Sequence, residues 1–427
     1  MGLVILLGIF ALCVVIGIPV AFALGIAAVA TFFYEGLPLI IAFQRIVSGI
    51  NVFSLMAIPF FIFAGELMFH GGIAIRLVRF ASAAVGALRG GLGIVNVFSS
   101  MLFGGISGSA VADISALGSI LIPVMKEKGY DDDYAVNVTV TSSIAGIMIP
   151  PSHNMILFAV AAGGGVSISS LFLSGVVPGM VMCVCLAAAA YLIAVRRGYR
   201  AESFPGARVL LVSFFSALPG LFTAVIIVGG VLSGVFTVTE SGAFGTIYAF
   251  LVTVLVYRAL PWESFKTAVA NAVRTTSMVL ILVACAGAFA YMLTFYQVPS
   301  RMTGFMFAVS ENPVAVLLMI NVILLVLGMI MDMAALILIC TPIFLPVAQS
   351  IGVDPLQFAM IMMMNLGLGL CTPPVGACLF VGCAVGKVPI EKAVRTIWPF
   401  YMAILVALML TTFVPAISLT LPTWFAG

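Results

Sequence analysis

Residues Ala145 to Phe158 read AGIMIPPSHNMILF. Apolar residues on both sides would carry a helix straight through, yet two prolines, a histidine and an asparagine stand in the middle. Pro150 and Pro151 lack amide hydrogens and crowd the turn before them, so the helix must stop there and restart beyond. In water such a break is an ordinary loop. In lipid it exposes carbonyls and amides that nothing solvates, which is tolerated only where they are buried in protein or line a polar cavity. Which solvent applies is decided by the rest of the chain.

The 427 residues are 64% hydrophobic and only 7% charged, against about a quarter charged in soluble domains. Apolar runs of membrane-spanning length recur along the whole sequence without period-two alternation, so the chain is predicted to be an all-α integral membrane protein. The eight cysteines lie in apolar segments without a CxxC pair and are expected to be small core residues. A net charge of +3 says little about partners; no nucleic acid is expected. No G-x-x-x-x-G-K-[ST] phosphate loop occurs, which disfavours ATP-driven pumping.

Nine full spans are predicted, near residues 3–33, 52–70, 134–162, 168–195, 209–230, 236–257, 277–295, 357–386 and 396–419. Residues Gly2 to Phe33 carry no charge and no basic cluster precedes them, so they are expected to remain as the first span. Two further apolar stretches, 92–125 and 313–349, are interrupted by GGISGSAVAD (Gly104 to Asp113) and GMIMDM (Gly328 to Met333); each is predicted to be a re-entrant helical hairpin. Ile73 to Gly90 and Pro261 to Thr276 mix charge into helix-forming apolar sequence, as interfacial helices do. Under this scheme the side holding the N-terminus collects every Lys and Arg except Arg45 and Arg301. The positive-inside rule then puts the N-terminus in the cytoplasm and the C-terminus outside.

Sliding the sequence against itself by 223 positions superposes Pro123, Pro150 and Pro151 on Pro346, Pro373 and Pro374, and Gly129, Asp131, Gly146 and Gly163 on Gly352, Asp354, Gly369 and Gly386. Two repeats are predicted: 1–205, with hairpin one and the broken helix 134–162, and 236–427, with hairpin two and the broken helix 357–386. A linking span at 206–235 separates them. An odd number of crossings between equivalent points makes the second repeat inverted.

The second half breaks its helix at LCTPPVG, Leu370 to Gly376. Two broken helices and two hairpin tips related by inversion point to a midplane binding site of a secondary transporter. Such a site offers carbonyls and hydroxyls to a small cation and helix N-termini to an anion. Four acids lie at or near apolar depth, where each costs roughly 2.5 to 3.5 kcal/mol on insertion scales. Asp332, at the second tip and opposite Ser109 in the repeat, is expected to line a cation or substrate site. Asp113 either caps backbone, pairs within its hairpin or joins that site. Glu66 and Glu240 sit near span ends, where snorkelling is the simpler account. His153 serves either a packing hydrogen bond or ligand contact. No Lys or Arg is predicted at midplane depth, so an anionic substrate would have to be met by helix N-termini and co-bound cations.

GISGSAVAD, SSIAGIMIPPS (142–152), TVTES (237–241) and LGLCTPPVG (368–376) together resemble the large membrane subunit of tripartite ATP-independent periplasmic (TRAP) transporters, over essentially the whole chain. The resemblance implies an elevator-type transporter of the ion transporter superfamily: a sodium-driven importer of organic acids in the bacterial inner membrane. It also implies two partners, a small four-helix membrane subunit and a periplasmic substrate-binding protein. By the same resemblance Ser107, Gly108, Ser109 and the break at Ile149, Pro150 and Ser152 form one sodium site. Asp332 with Cys371, Thr372, Pro373 and Gly376 forms another, so two or more sodium ions are expected. Ser109, Ser152, His153, Asn154 and Thr341 are the expected substrate contacts. PSHN after the first break is similar to the sialic acid transporters of this family, while C4-dicarboxylate members share most of the frame. A remote alternative is an intramembrane serine protease, since Gly105 to Gly108 matches GxSG and His153 would supply the base; a channel is a further rival.

Overall fold

The computed structural model describes residues 1–201 and 203–425, and among them there are helices and connecting loops but no strand. The N-terminal apolar stretch folds back on itself. α1 (Gly2–Ile16) and α2 (Val20–Tyr34) are parted at Gly17, whose φ of 88° favours glycine, and the amides of Gly17 and Ile18 return to the carbonyls of Val14 and Cys13 at 3.0 and 2.9 Å. Gly2 thereby meets Glu35 Oε1 and Tyr296 Oη, which fill the place a Cβ would take. The single span predicted at 3–33 is therefore corrected to an antiparallel helix pair.

α3 (Leu39–Ile50), in a segment with no predicted element, leads through a short 3-10 turn into α4 (Ala57–His70). α5 (Ile73–Val85) is the amphipathic helix expected there, burying Ile73, Ala74, Leu77, Val78 and Ala81. The first hairpin comprises α6 (Gly91–Ser107), a tip at Gly108 and Ser109, one turn of α7 (Ala110–Asp113), a π turn, and α8 (Ser119–Glu127). α9 (Asp132–Met148) and α10 (His153–Ala161) form the first broken helix, bent by 54°. α11 (Ile168–Arg196), α12 (Ala207–Leu232) and α13 (Val238–Leu251) follow. Glu240, exposed at the start of α13, completes a capping box with Thr237.

α14 runs unbroken from Trp262 to Phe295, 34 residues, so the interfacial helix predicted at 261–276 is continuous with the span after it. α14 and α3 start 223 residues apart; the same register is broken at Asn51 in the first half and continuous in the second. α15 (Val298–Val309) precedes the second hairpin, α16 (Pro313–Gly328) and α17 (Met333–Ser350), and the second broken helix, α18 (Pro355–Leu370) and α19 (Ala377–Gly386). α20 (Ile390–Thr396), α21 (Trp398–Phe413) and α22 (Ala416–Phe425) complete the described chain. Among the described residues 6 helices qualify alone as spans by length and apolarity, Met333–Ser350 of the second hairpin included, and up to 8 if each bent pair is one; the spans predicted at 3–33 and 357–386 are built from shorter helices.

The broken helices occupy the centre. Every residue of α9 from Asp133 to Met148 is buried, as is α18 from Gln357 to Leu370. They touch where Gly367 leaves room for Ile144, two positions separated by the same 223. Each hairpin's first arm closes on its broken helix at backbone distance. A Cβ on Gly146 would lie 2.7 Å from Gly104 Cα, and one on Gly369 would lie 2.6 Å from Gly328 Cα. Polar stitches run beside these contacts. Asn96 Nδ2 donates to Thr139 Oγ1 at 2.6 Å and Ser142 Oγ to Asn96 Oδ1 at 3.1 Å, while Asn365 Nδ2 donates to Asn321 Oδ1 at 2.5 Å. Such bonds satisfy groups that lipid would leave bare. At one end of α9, Arg197 pairs with Asp131 at 2.8 Å and with Asp133 at 2.8 Å. Burial alone would raise the Asp133 carboxyl, but the Arg197 hydrogen bonds and charge outweigh it and hold it below its usual range.

Candidate functional site

Both breaks open where the sequence places them. After Met148 the backbone turns extended at Ile149, passes a cis Pro150–Pro151 bond and reaches Ser152, from which α10 restarts. After Leu370 it passes a cis Pro373–Pro374 bond to Gly376, at φ 51°, and α19 restarts. Each break lies against its hairpin tip. A Cβ on Gly108 would stand 3.2 Å from Pro151 O and 3.4 Å from His153 Nδ1, and the Val375 amide donates to Met329 O at 3.1 Å. The two carbonyl-rich turns are thereby folded against loops carrying Ser107 to Ser109 in one half and Asp332 in the other.

Between the tips lies a cavity of about 580 Å³. Ser107 and Ser109 line it from the first tip, His153 and Asn154 from the start of α10, Asp332 to Ala334 from the second tip, and Leu370 from the end of α18. Asp332 caps α17, its Oδ2 accepting from the Ala334 amide at 3.0 Å while the side chain opens to the cavity. Ser109 Oγ accepts from the Ala112 amide at 3.4 Å. The N-terminal ends of α10 and α17 thus both face this space; α10 restarts without a side-chain cap, so its amides favour an anion, whereas at α17 the Asp332 carboxylate already takes that place.

The remaining expected residues are distributed around it. Gly108, Ile149, Pro150 and Ser152 sit behind the first tip, and the hydroxyls of Ser107 and Ser152 are buried without a hydrogen-bond partner among the described residues. An orphan hydroxyl in such a place is costly unless something else satisfies it, so the oxygens available at the first break suit a hard cation such as sodium. At the second break the Cys371 carbonyl accepts from Tyr401 Oη and Thr372 Oγ1 donates to Leu368 O at 2.7 Å; both have protein partners, while Pro373 and Gly376 continue the turn. Thr341 is fully buried between α17 and α18, donating to Met362 Sδ at 3.5 Å, and does not line the cavity. Asp113 is buried beside the first tip, with Ser100 as its polar neighbour. Ser107 Oγ makes no hydrogen bond to His153, so the nucleophile and base pair that a serine protease needs is not formed.

Sequence reasoning missed the opposite wall. Glu66 on α4 and Asn271 and Thr275 on α14 face the tips across the cavity, with Asn271 Nδ2 donating to Glu66 Oε2 at 3.1 Å and His70 Nε2 lying 3.5 Å from the same oxygen. Glu66 is therefore engaged inside the protein and does not snorkel. No spacing along the chain could pair residues 205 positions apart. Among the described lining residues there is no Lys or Arg.

Residues 7–417 match the family model described as the DctM component of the tripartite ATP-independent periplasmic transporter. The chain is 40% identical to an uncharacterized protein, YgiK, of Salmonella typhimurium, over 99% of this chain and 98% of that one. It is 36% identical to the sialic acid TRAP transporter large permease protein SiaM of Vibrio cholerae, with 96% of each covered. It is 34% identical to the C4-dicarboxylate TRAP transporter large permease protein DctM of Rhodobacter capsulatus, with 99% of each covered. Among solved structures, the YdaH transporter of Alcanivorax borkumensis, described as having an unusual topology, superposes with a TM-score of 0.64 over 91% of this chain and 89% of that one; at 13% identity it shares the fold.

Proposed function

The chain belongs to the tripartite ATP-independent periplasmic transporter family as its large membrane component, a secondary transporter of organic acid anions, and from that premise we propose that it imports its substrate by sodium coupling and an elevator motion. The observation that carries this reading is the convergence of four backbone interruptions, two hairpin tips and two broken helices, on one cavity. Sodium binds the carbonyls and hydroxyls of the first tip and break, Ser107 to Ser109 and Ile149 to Ser152, and the Asp332 tip with the Cys371 to Gly376 break. The anion is held at the N-terminal end of α10, with a cation bound at Asp332 offsetting the charge on both. Sodium and substrate then stabilise each other's binding, and that mutual dependence is the coupling.

The hairpins and broken helices form the moving body; α4, α14 and their neighbours form the frame. A small membrane subunit stiffens that frame, and a periplasmic binding protein delivers a carboxylate, of which a sialic acid is the first candidate and a C4-dicarboxylate the second. Because no charged residue precedes Glu35, the basic side remains cytoplasmic by the positive-inside rule. The pairing of Gly2 with Glu35 then supports a periplasmic N-terminus, on the side of Arg45 and Arg301, in place of the cytoplasmic one expected from a single first span. The C-terminus stays periplasmic.

The test is uptake of labelled N-acetylneuraminate and succinate by proteoliposomes holding this chain, its small subunit and the cognate binding protein, with and without a sodium gradient. Uptake that concentrates an acid only when sodium is present is expected. Equal uptake without sodium would remove the coupling, and single-channel currents would favour a channel.

A further inference from the structure

The two walls of the cavity differ in chemistry. The tip wall presents helix N-termini and cation ligands. The frame wall presents Glu66, Asn271 and Thr275. Glu66 has no role in the transport reading above, yet its carboxylate is held in place. Oε2 accepts from Asn271, while Oε1 accepts no hydrogen bond among the described residues. A carboxylate is an acceptor only, so an oriented one with a spare oxygen facing a cavity selects ligands that carry donors. Asp332 makes a second carboxylate in the same space, and no Lys or Arg lines it. His70, 3.5 Å from Glu66 Oε2 on the same helix, is the group that can offset Glu66 when its ring is protonated.

We propose that Glu66, positioned by Asn271 and joined by Thr275, is the specificity wall of the site: it reads hydroxyl, amide or amino donors on the substrate and rejects a second carboxylate. The substrate class is then a donor-bearing monoanion, such as a polyhydroxylated or amido sugar acid, and not a dicarboxylate. This rests on the transport reading of the same cavity. The acid end of the ligand lies at the uncapped N-terminus of α10, and the donor-bearing end reaches Glu66. Charge-assisted hydrogen bonds to a carboxylate are the stronger kind. A ligand without donors leaves Glu66 desolvated and unpaired, the arrangement by which polar sites reject analogues. A dicarboxylate would bring its second charge against Glu66 with no cationic side chain in the lining, and like charges at close range are an effective means of exclusion.

The experiment uses the full chain purified with its small membrane subunit in saturating sodium, and measures binding of gluconate, N-acetylneuraminate, propionate and succinate by titration calorimetry and by the rise in melting temperature. Gluconate or N-acetylneuraminate is expected to bind at least about tenfold more tightly than propionate or succinate. Glu66→Gln keeps the size and an acceptor but removes the charge, and should bring succinate to within about threefold of the better acid. Succinate binding the wild type as tightly as the hydroxylated acids, or an unchanged ranking in Glu66→Gln, overturns the inference. Should that variant fail to fold, Thr275→Val serves: it should weaken the hydroxylated acid and leave succinate unchanged, and equal weakening of both would count against the wall. If none of the four acids binds in sodium, the transport reading fails and the inference with it; succinate binding tightly sinks the inference alone.

Discussion

At the first hairpin tip two serines flank a left-handed glycine; at the second the one polar side chain is a carboxylate. The backbone around them is nevertheless alike. A cis proline pair, a hairpin glycine pressed on a helix glycine and an asparagine stitch recur in both halves. The difference teaches that one backbone geometry can hold two different chemistries. One tip supplies hydroxyls and leans on the Pro150 and Pro151 carbonyls, whereas the other adds a fixed negative charge.

The shared geometry should be the harder part to disturb. Gly146→Val and Gly369→Val each force side-chain atoms into the backbone of the opposing hairpin arm, which cannot retreat as a flexible side chain would. Overpacking of a dense core costs about 1 to 3 kcal/mol or more, and both halves should respond similarly. Loss of the monodisperse peak in size-exclusion chromatography, or a large drop in melting temperature, is expected for both variants. If Gly369→Val melts like the wild type while Gly146→Val collapses, the two interfaces are not equivalent and the comparison breaks.

The divergent chemistry comes next in size. Asp332→Asn retains an amide oxygen able to cap α17, so folding should survive. The loss of charge should raise the sodium concentration for half-maximal uptake by about tenfold, or about 1.4 kcal/mol. Ser109→Ala should shift it less. An unaltered sodium curve with a displaced pH profile would instead make Asp332 a proton carrier.

A subtler contrast concerns the buried hydroxyls behind the first tip. Ser107→Ala and Ser152→Ala remove orphan oxygens, and without sodium such a change should be neutral or slightly stabilising because no bond is lost. With sodium the same variants should lose part of the stabilisation the ion gives and bind it about threefold more weakly, roughly 0.7 kcal/mol. Melting curves at zero and saturating sodium separate the two. A variant that is destabilised in sodium-free buffer shows a packing role for the hydroxyl.

These features were legible in the sequence for a physical reason: proline and glycine act locally. Pro150, Pro151, Pro373 and Pro374 must end a helix wherever they fall, and Asp332 inside an apolar run must face something polar. The turn at Gly17 to Pro19 obeys the same rule and carries its own signal, a glycine and a proline two residues apart. It was hidden because hydropathy does not change across it. The frame wall was hidden more deeply. Glu66 near a span end reads as a snorkelling acid until Asn271, from a helix 205 residues on, is folded against it. The continuity of α14 was masked in another way, because Lys266 and Arg274 resemble an interfacial helix in composition while the backbone simply continues.

The smallest expected effect lies where the broken helices begin. Asp131 and Asp354 are matched by the 223 offset, and both stand at an N-cap, yet only Asp354 caps with its side chain, Oδ1 accepting from the Leu356 amide at 2.8 Å. Asp131 turns instead to Arg197 and Tyr199, at 2.8 and 2.7 Å. Removing an N-cap oxygen costs about 1 kcal/mol, so Asp354→Ala should lower the melting temperature measurably. Asp131→Ala deletes an exposed ion pair, of a kind worth about 0 to 1 kcal/mol, and Arg197 keeps Asp133 as its buried partner. Its effect should therefore be the smaller of the two and should shrink further in high salt, which screens exposed pairs but not a cap. Melting both variants in low and high salt measures this directly. If Asp131→Ala is the more damaging in high salt, the Arg197 cluster depends on Asp131 and not on Asp133, and the two helix starts are held by different means than the hydrogen bonds indicate.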